Sequence, residues 1–169
     1  KYRIVPLNFG EYNGNRIFDY EEVGVITKDM SFDDYLYLRV MALFVESLHN
    51  GKPFNEFFLY AKHYNIQPAT FLKILNDNIK NASSGIQNLI NEFIDETRNE
   101  LWDSEDDLLE HYRNDKNYLK LKNGEVGGNL IYKYKSKNLV ENSSAWLDFF
   151  EKELYKAILE KQNNIINLD

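Results

Sequence analysis

The sequence predicts a mainly α, multi-helix domain of about six helices, opened by a short N-terminal β-hairpin or strand pair. Three observations predict it. Apolar residues recur at three- and four-residue spacing along most of the chain beyond residue 30. Serines stand immediately before several of these runs, as helix caps do. Period-two alternation and a tight-turn dipeptide are confined to the first thirty residues.

The β-like region runs from Tyr2 to Thr27. Arg3-Ile4-Val5 is a short apolar run that Pro6, with no N–H to donate to a ladder, is expected to stop. Asn13-Gly14 is a two-residue turn signal. From Ile17 to Thr27 the pattern alternates, with Val23, Val25 and Thr27 on one face and Tyr20 and Ile26 on the other. A sheet this small is marginal alone. Residues 1–28 are therefore expected to pack on the helices of 29–169, giving one domain.

Met30 to Gly51 reads as one central helix. Ser31 is a good N-cap, Asp34 stands where a carboxylate can answer it, and Gly51 supplies a left-handed end. Tyr35, Leu38, Met41, Ala42, Val45 and Leu48 form the predicted buried stripe, widened by Leu36, Leu43 and Phe44. A second helix follows Pro53, carrying Phe54, Phe57, Phe58, Ala61 and Tyr64. Pro68 opens a third with Phe71, Leu72, Leu75 and Ile79 inward. Ser83 or Ser84 caps a long fourth, with Ile86, Leu89, Ile90, Phe93, Ile94, Thr97 and Leu101 at helical spacing. Ser104 with Asp107 starts a fifth. The last runs from about Ser143 to Gln162 on Trp146, Phe149, Phe150, Leu154 and Ile158. Lys116 to Lys137 holds a short apolar segment (Tyr118, Leu119, Leu121), a glycine break at Gly124, Gly127 and Gly128, and then a basic run, and no arrangement is assigned to residues 113–140.

Twenty basic against 27 acidic residues leave a net charge of −7, which disfavours nucleic acid and anionic membranes as partners. With no cysteine there are no disulfides, thiol nucleophiles, thiolate zinc sites or iron–sulfur ligands. No apolar run reaches membrane-spanning length and no signal peptide opens the chain, so the expected compartment is the cytoplasm. The start at Lys-Tyr-Arg-Ile-Val-Pro, without Met, reads as a piece of something longer.

Few constellations carry chemistry. Counting from Asp103, a calcium loop would need Gly sixth and Glu twelfth, where Leu108 and Asn114 stand. Acidic residues there are explained by a helix N-terminus. His49, His63 and His111 lack metal-ligand spacing, and His49 suits a helix C-terminal end. Gly124-Glu-Val-Gly127-Gly128 lacks the Gly-Lys-Ser/Thr ending of a phosphate loop. Lys133-Tyr-Lys-Ser-Lys137 reads as a solvated helix face or a contact to an acidic partner. Arg39, within so apolar a helix, must snorkel, pair with Glu21, Glu22 or Asp19, or reach a polar site. No residue is assigned a catalytic or metal-ligating role.

Tyr2-Arg-Ile-Val-Pro6, Phe9-Gly10, Tyr12, Gly14, Glu21-Glu-Val23, Val25, Thr27, Met30-Ser-Phe32, Asp34-Tyr-Leu36, Arg39 and His49-Asn-Gly51 together resemble a known region. It is the one that follows the catalytic barrel in radical S-adenosylmethionine proteins carrying an N-terminal cobalamin-binding domain. The resemblance covers the first third of the chain. It implies a parent that uses a four-iron, four-sulfur cluster (4Fe–4S), S-adenosylmethionine and cobalamin, the cluster held by a Cys-x-x-x-Cys-x-x-Cys motif. This stretch would be its C-terminal helical region, non-catalytic and without a cofactor of its own, contacting the barrel of the same polypeptide and helping to shape or seal its mouth. Tyr12, Arg16, Glu21, Glu22, Asp34, Arg39 and His49 are then the candidates for a ligand site or a domain contact. No oligomeric state is implied.

Two other readings compete. One is a helical protein–protein interaction module with no enzymatic parent, marked by an exposed aromatic patch from Phe54, Phe57, Phe58 and Tyr60. The other is a self-contained enzyme using Glu21 and Glu22 as acid and base, which would require a pocket with convergent polar groups.

Overall fold

Asn13 and Gly14 take φ of 50° and 76°, the two left-handed residues that a tight hairpin turn needs. A computed structural model describes residues 1–166, and in it this turn joins β1 (Tyr2–Tyr12) to β2 (Asn15–Gly24), paired antiparallel. Pro6 does not stop the first strand, contrary to expectation. It pairs with Tyr20 next to a register shift between Pro6 and Asn8, leaving Leu7 as an extra residue. A bulge is one of the few places where a ladder accepts a residue without an N–H. The second strand ends at Gly24, so Val25, Ile26 and Thr27 lie outside it.

Eight α-helices follow among the described residues. They are α1 (Phe32–Phe44), α2 (Asn55–His63), α3 (Pro68–Asp77), α4 (Ser84–Asn99), α5 (Glu105–Arg113), α6 (Asp115–Lys122), α7 (Leu130–Glu141) and α8 (Ser143–Ile166). The fold is mainly α with an N-terminal strand pair, as the sequence predicts. The count is eight rather than about six because residues 113–140 supply α6 and α7 on either side of the glycine break. Asn114 caps α6, accepting from the Lys116 N–H at 2.9 Å.

The capping chemistry decides where helices begin. Ser31 Oγ accepts from the Asp34 N–H at 3.1 Å, and Asp34 Oδ2 accepts from the Ser31 N–H at 2.8 Å, a reciprocal capping box. Ser104 Oγ accepts from the Asp107 N–H at 3.2 Å, and Ser83 Oγ from the Ile86 N–H at 3.4 Å. Pro68 is the first residue of α3.

The central helix departs from its predicted form in two ways. It is not α-helical to its end, because Val45–His49 form a π-helical turn closed by Asn50 N–H donating to Val45 O at 2.8 Å. Its buried face is also rotated from the expected stripe. Leu36, Val40, Leu43, Phe44, Ser47 and Leu48 are buried, whereas Leu38 is 54% exposed and Val45 38%.

The chain groups into two compact units, Lys1–Leu36 with Ile94–Leu130, and Tyr37–Phe93 with the described residues from Ile131 onward. In the first, Ile4 and Phe18 of the hairpin pack with Leu108, Tyr112, Tyr118 and Leu121 of α5 and α6. Ile4 and Trp102 exchange both backbone hydrogen bonds at 2.9 Å, tying β1 to the segment before α5. The second unit is built round aromatic side chains. Phe150 of α8 lies within ring contact of Phe54, Phe57, Phe58, Phe71 and Trp146, and Trp146 meets Phe44 edge-on at 5.3 Å.

No described helix is long and apolar enough to cross a membrane.

Candidate functional site

The first unit carries the hairpin on which most of the candidate residues fall. Arg16, at the start of β2, donates from Nη1 to Tyr112 O at 2.5 Å and to Arg113 O at 2.8 Å. Its Nη2 pairs with Asp115, and the guanidinium sits 4.2 Å from the Tyr118 ring centroid. Two of these contacts are the last carbonyls of α5, which have no partner inside the helix, and a third is the first acidic residue of α6. Arg16 therefore staples the hairpin to the α5–α6 corner, a structural role that leaves little of it to hold a ligand.

Tyr12 stands at the hairpin tip, 69% exposed. Glu21 and Glu22 are exposed on β2, across from Val5 and Ile4, and neither carboxylate enters a hydrogen bond or ion pair among the described residues. Next to them Tyr20 Oη donates to Glu105 Oε2 at 2.7 Å, and this bond to a carboxylate raises the phenol's pKa. Arg3 pairs with Asp103, and its hydrogen bond, ahead of the weaker one from Lys1, holds that carboxyl below the usual range. Asp34 is likewise lowered, first by the Ser31 hydroxyl and then by the Ser31 N–H. Its partners are those of a cap. Within this unit no hydrogen bond or ion pair joins any two of Tyr12, Arg16, Glu21, Glu22 and Asp34.

The other two candidates lie in the second unit. Arg39 carries its guanidinium 5.8 Å from the Phe93 ring centroid. His49 meets the Phe58 ring edge-on at 5.0 Å, and its Nδ1 lies 3.5 Å from Asn50 Oδ1. Both rest against aromatic rings.

Sequence reasoning missed a cavity of about 560 Å³ in the first unit, lined by Pro6, Trp102, His111, Tyr112, Asn117 and Lys120 among others. None of the seven candidates lines it. The Trp102 and His111 rings lie 4.8 Å apart, tilted by 55°, and Asn117 Nδ2 donates to His111 O at 3.1 Å. Its wall joins a strand, the segment before α5 and a glycine loop, so no sequence spacing could have announced it. Gly127 takes φ of 78° there, a conformation that a side chain would strain.

The basic run is solvated on one side only, at Lys133 and Ser136. Tyr134 is buried, Lys135 Nζ donates to Glu46 Oε1 at 2.8 Å, and Lys137 pairs with Glu92. The aromatic patch expected from Phe54, Phe57, Phe58 and Tyr60 is also corrected. Phe54 and Phe58 are buried against Phe150, and only Tyr60 of the four is exposed.

The four-iron cluster that the resemblance implies finds no ligand in this chain. A four-iron cluster needs thiolates and the chain has no cysteine. Among the described residues no three His, Asp or Glu side chains converge as a metal site. No known protein family, no curated protein and no solved structure matches the chain.

Proposed function

We propose that this chain is a non-catalytic C-terminal accessory domain of a cobalamin-dependent radical S-adenosylmethionine enzyme, helping to shape or seal the active site of the parent's barrel. The observation that carries the reading is the residue pattern from Tyr2 to Gly51, which resembles the region after that barrel. The same residues build the hairpin, α1 and the π-helical turn that ends at His49. The hairpin also presents Tyr2, Leu7, Tyr12 and Ile17, large apolar side chains more than half exposed, which is the kind of surface a neighbouring domain covers. Radical chemistry requires exclusion of water, and a domain seated at a barrel mouth contributes that by position. The proposed compartment is the cytoplasm.

Deleting Met30 to Asp169 from the intact parent tests this. Turnover on the native substrate should fall while the cluster still assembles, as measured by its visible absorption and iron content. Unchanged turnover by a folded, iron-loaded truncation would overturn the proposal.

A further inference from the structure

A groove of about 590 Å³ runs between α2 and α8 in the second unit. One wall carries Glu56, Tyr60 and Tyr64, and the other Glu151, Tyr155 and Leu159, each a ladder of residues four apart on one helical face. Leu154 and Ile158 form the floor and are buried. The rings of Phe57 and Phe150 lie 5.4 Å apart near the start of α2, and Lys161 Nζ donates to Asn65 O at 2.8 Å beyond its end. These two contacts fix the helices as parallel, so Glu56 and Glu151 share one end of the groove. From Glu151 to Leu159 is eight residues, about 12 Å of helix.

The groove's chemistry is uneven along that length. At one end are two exposed carboxylates, and neither makes a hydrogen bond or ion pair among the described residues. In the middle stand Tyr60, 54% exposed, and Tyr155, 64% exposed. Tyr60 is braced by Tyr64, the rings meeting at 5.2 Å and the hydroxyls at 3.4 Å, so that wall is set before anything binds. Lys161, at the far end, is held on a backbone carbonyl. Carboxylates attract a cation, and aromatic faces stabilise a cation together with the apolar body attached to it. A neutral guest would gain nothing from the carboxylate end, and an anionic one would be repelled by it.

We infer that the α2–α8 groove is a binding site for a small organic cation, an ammonium group bearing an aryl or alkyl body, with the charge between Glu56 and Glu151 and the body along Tyr60 and Tyr155. The site belongs to residues outside the hairpin, and the inference stands apart from the accessory-domain reading.

The test uses 2-phenylethylammonium chloride as probe and 2-phenylethanol as its neutral counterpart, titrated into the 169-residue chain and followed by amide chemical shifts. The ammonium should give saturable shifts confined to residues 56–64 and 151–162, with the alcohol bound at least about fivefold more weakly. Tyr60→Ala and Tyr155→Ala should each weaken the ammonium about threefold. The E56Q/E151Q pair, both exposed and therefore harmless to folding, should remove its preference over the alcohol. Equal binding of the two probes, or an unchanged preference in E56Q/E151Q, would overturn the inference, as would shifts centred elsewhere or none that saturate.

Discussion

Trp146 Nε1 donates a hydrogen bond to Asn138 Oδ1 at 2.6 Å, and both side chains are wholly shielded from solvent. Asn138 Nδ2 in turn reaches Ser47 Oγ at 3.4 Å, and Ser47 donates to Leu43 O at 2.7 Å. A polar chain thus crosses the aromatic core from α8 through α7 to the central helix. Buried polar groups cost most when they lose a partner, because the survivor keeps its desolvation penalty. Asn138→Leu should therefore destabilise the protein by about 2–3 kcal/mol, stranding the indole N–H and taking a donor from Ser47 Oγ, whose own bond to Leu43 O survives. Urea unfolding measures this, and a midpoint equal to the parent's would show that the chain is not cooperative.

Arg16 supports a second prediction. Arg16→Ala should cost about 1–2 kcal/mol, since it releases two helix-end carbonyls and Asp115 at once. Arg16→Lys should recover only part of the loss, because one ammonium cannot span acceptors that a planar guanidinium holds together. Full rescue by Lys would mean that charge alone matters there.

The capping box at the start of α1 predicts that Ser31→Ala lowers stability by about 1 kcal/mol. Ser31→Asp should stay close to the parent, since an aspartate also caps. A parent-like melt for the alanine variant would remove the cap from the account of where this helix begins.

Acid sensitivity follows from four carboxylates. Asp34 is lowered by Ser31, Glu46 by hydrogen bonds from Lys135 and then Asn50, Asp77 by Lys73, and Asp103 by Arg3. Each folded-state pKa lies below its unfolded value. The stabilisation is thus complete above the ordinary carboxylate range near pH 4 and is lost as pH falls through the folded values. The melting temperature should owe no slope to these groups between about pH 6 and 8 and should drop below about pH 4. Asp103→Asn should shrink that drop, and an acid profile identical to the parent's would exclude Asp103 as a contributor.

Caps and turns were legible in the sequence because their chemistry is local. Ser31, Ser104, Pro68 and Asn13-Gly14 each act on backbone groups within a few residues. The burial of the last helix was legible too, since Trp146, Phe149, Phe150, Leu154 and Ile158 are all inside. The central helix misled because it is apolar nearly all round. With no polar face to fix its phase, Tyr35 and Leu38 looked as inward as Leu36, while Val40 and Ser47 were passed over though both are buried. The roles of Arg16 and Tyr134 depend on residues far away in sequence. The groove could have been suspected, since Glu56, Tyr60 and Tyr64 repeat every four residues, but its second wall lies almost a hundred residues further on.

The π-helical turn at Val45–His49 has its own consequence. Its wider winding accommodates one residue more than an α-helical turn of the same rise would, as if a single codon had been added to a finished helix. The residues before it keep the orientation set by the capping box at Ser31. Those at its end are offset, and there Leu48 is buried and His49 meets Phe58. Removing one residue from the turn would restore ordinary winding and swing everything from Leu48 to the left-handed Gly51 by about 100°. The turn is thus a phase adjuster, letting two stretches of one helix answer to different neighbours.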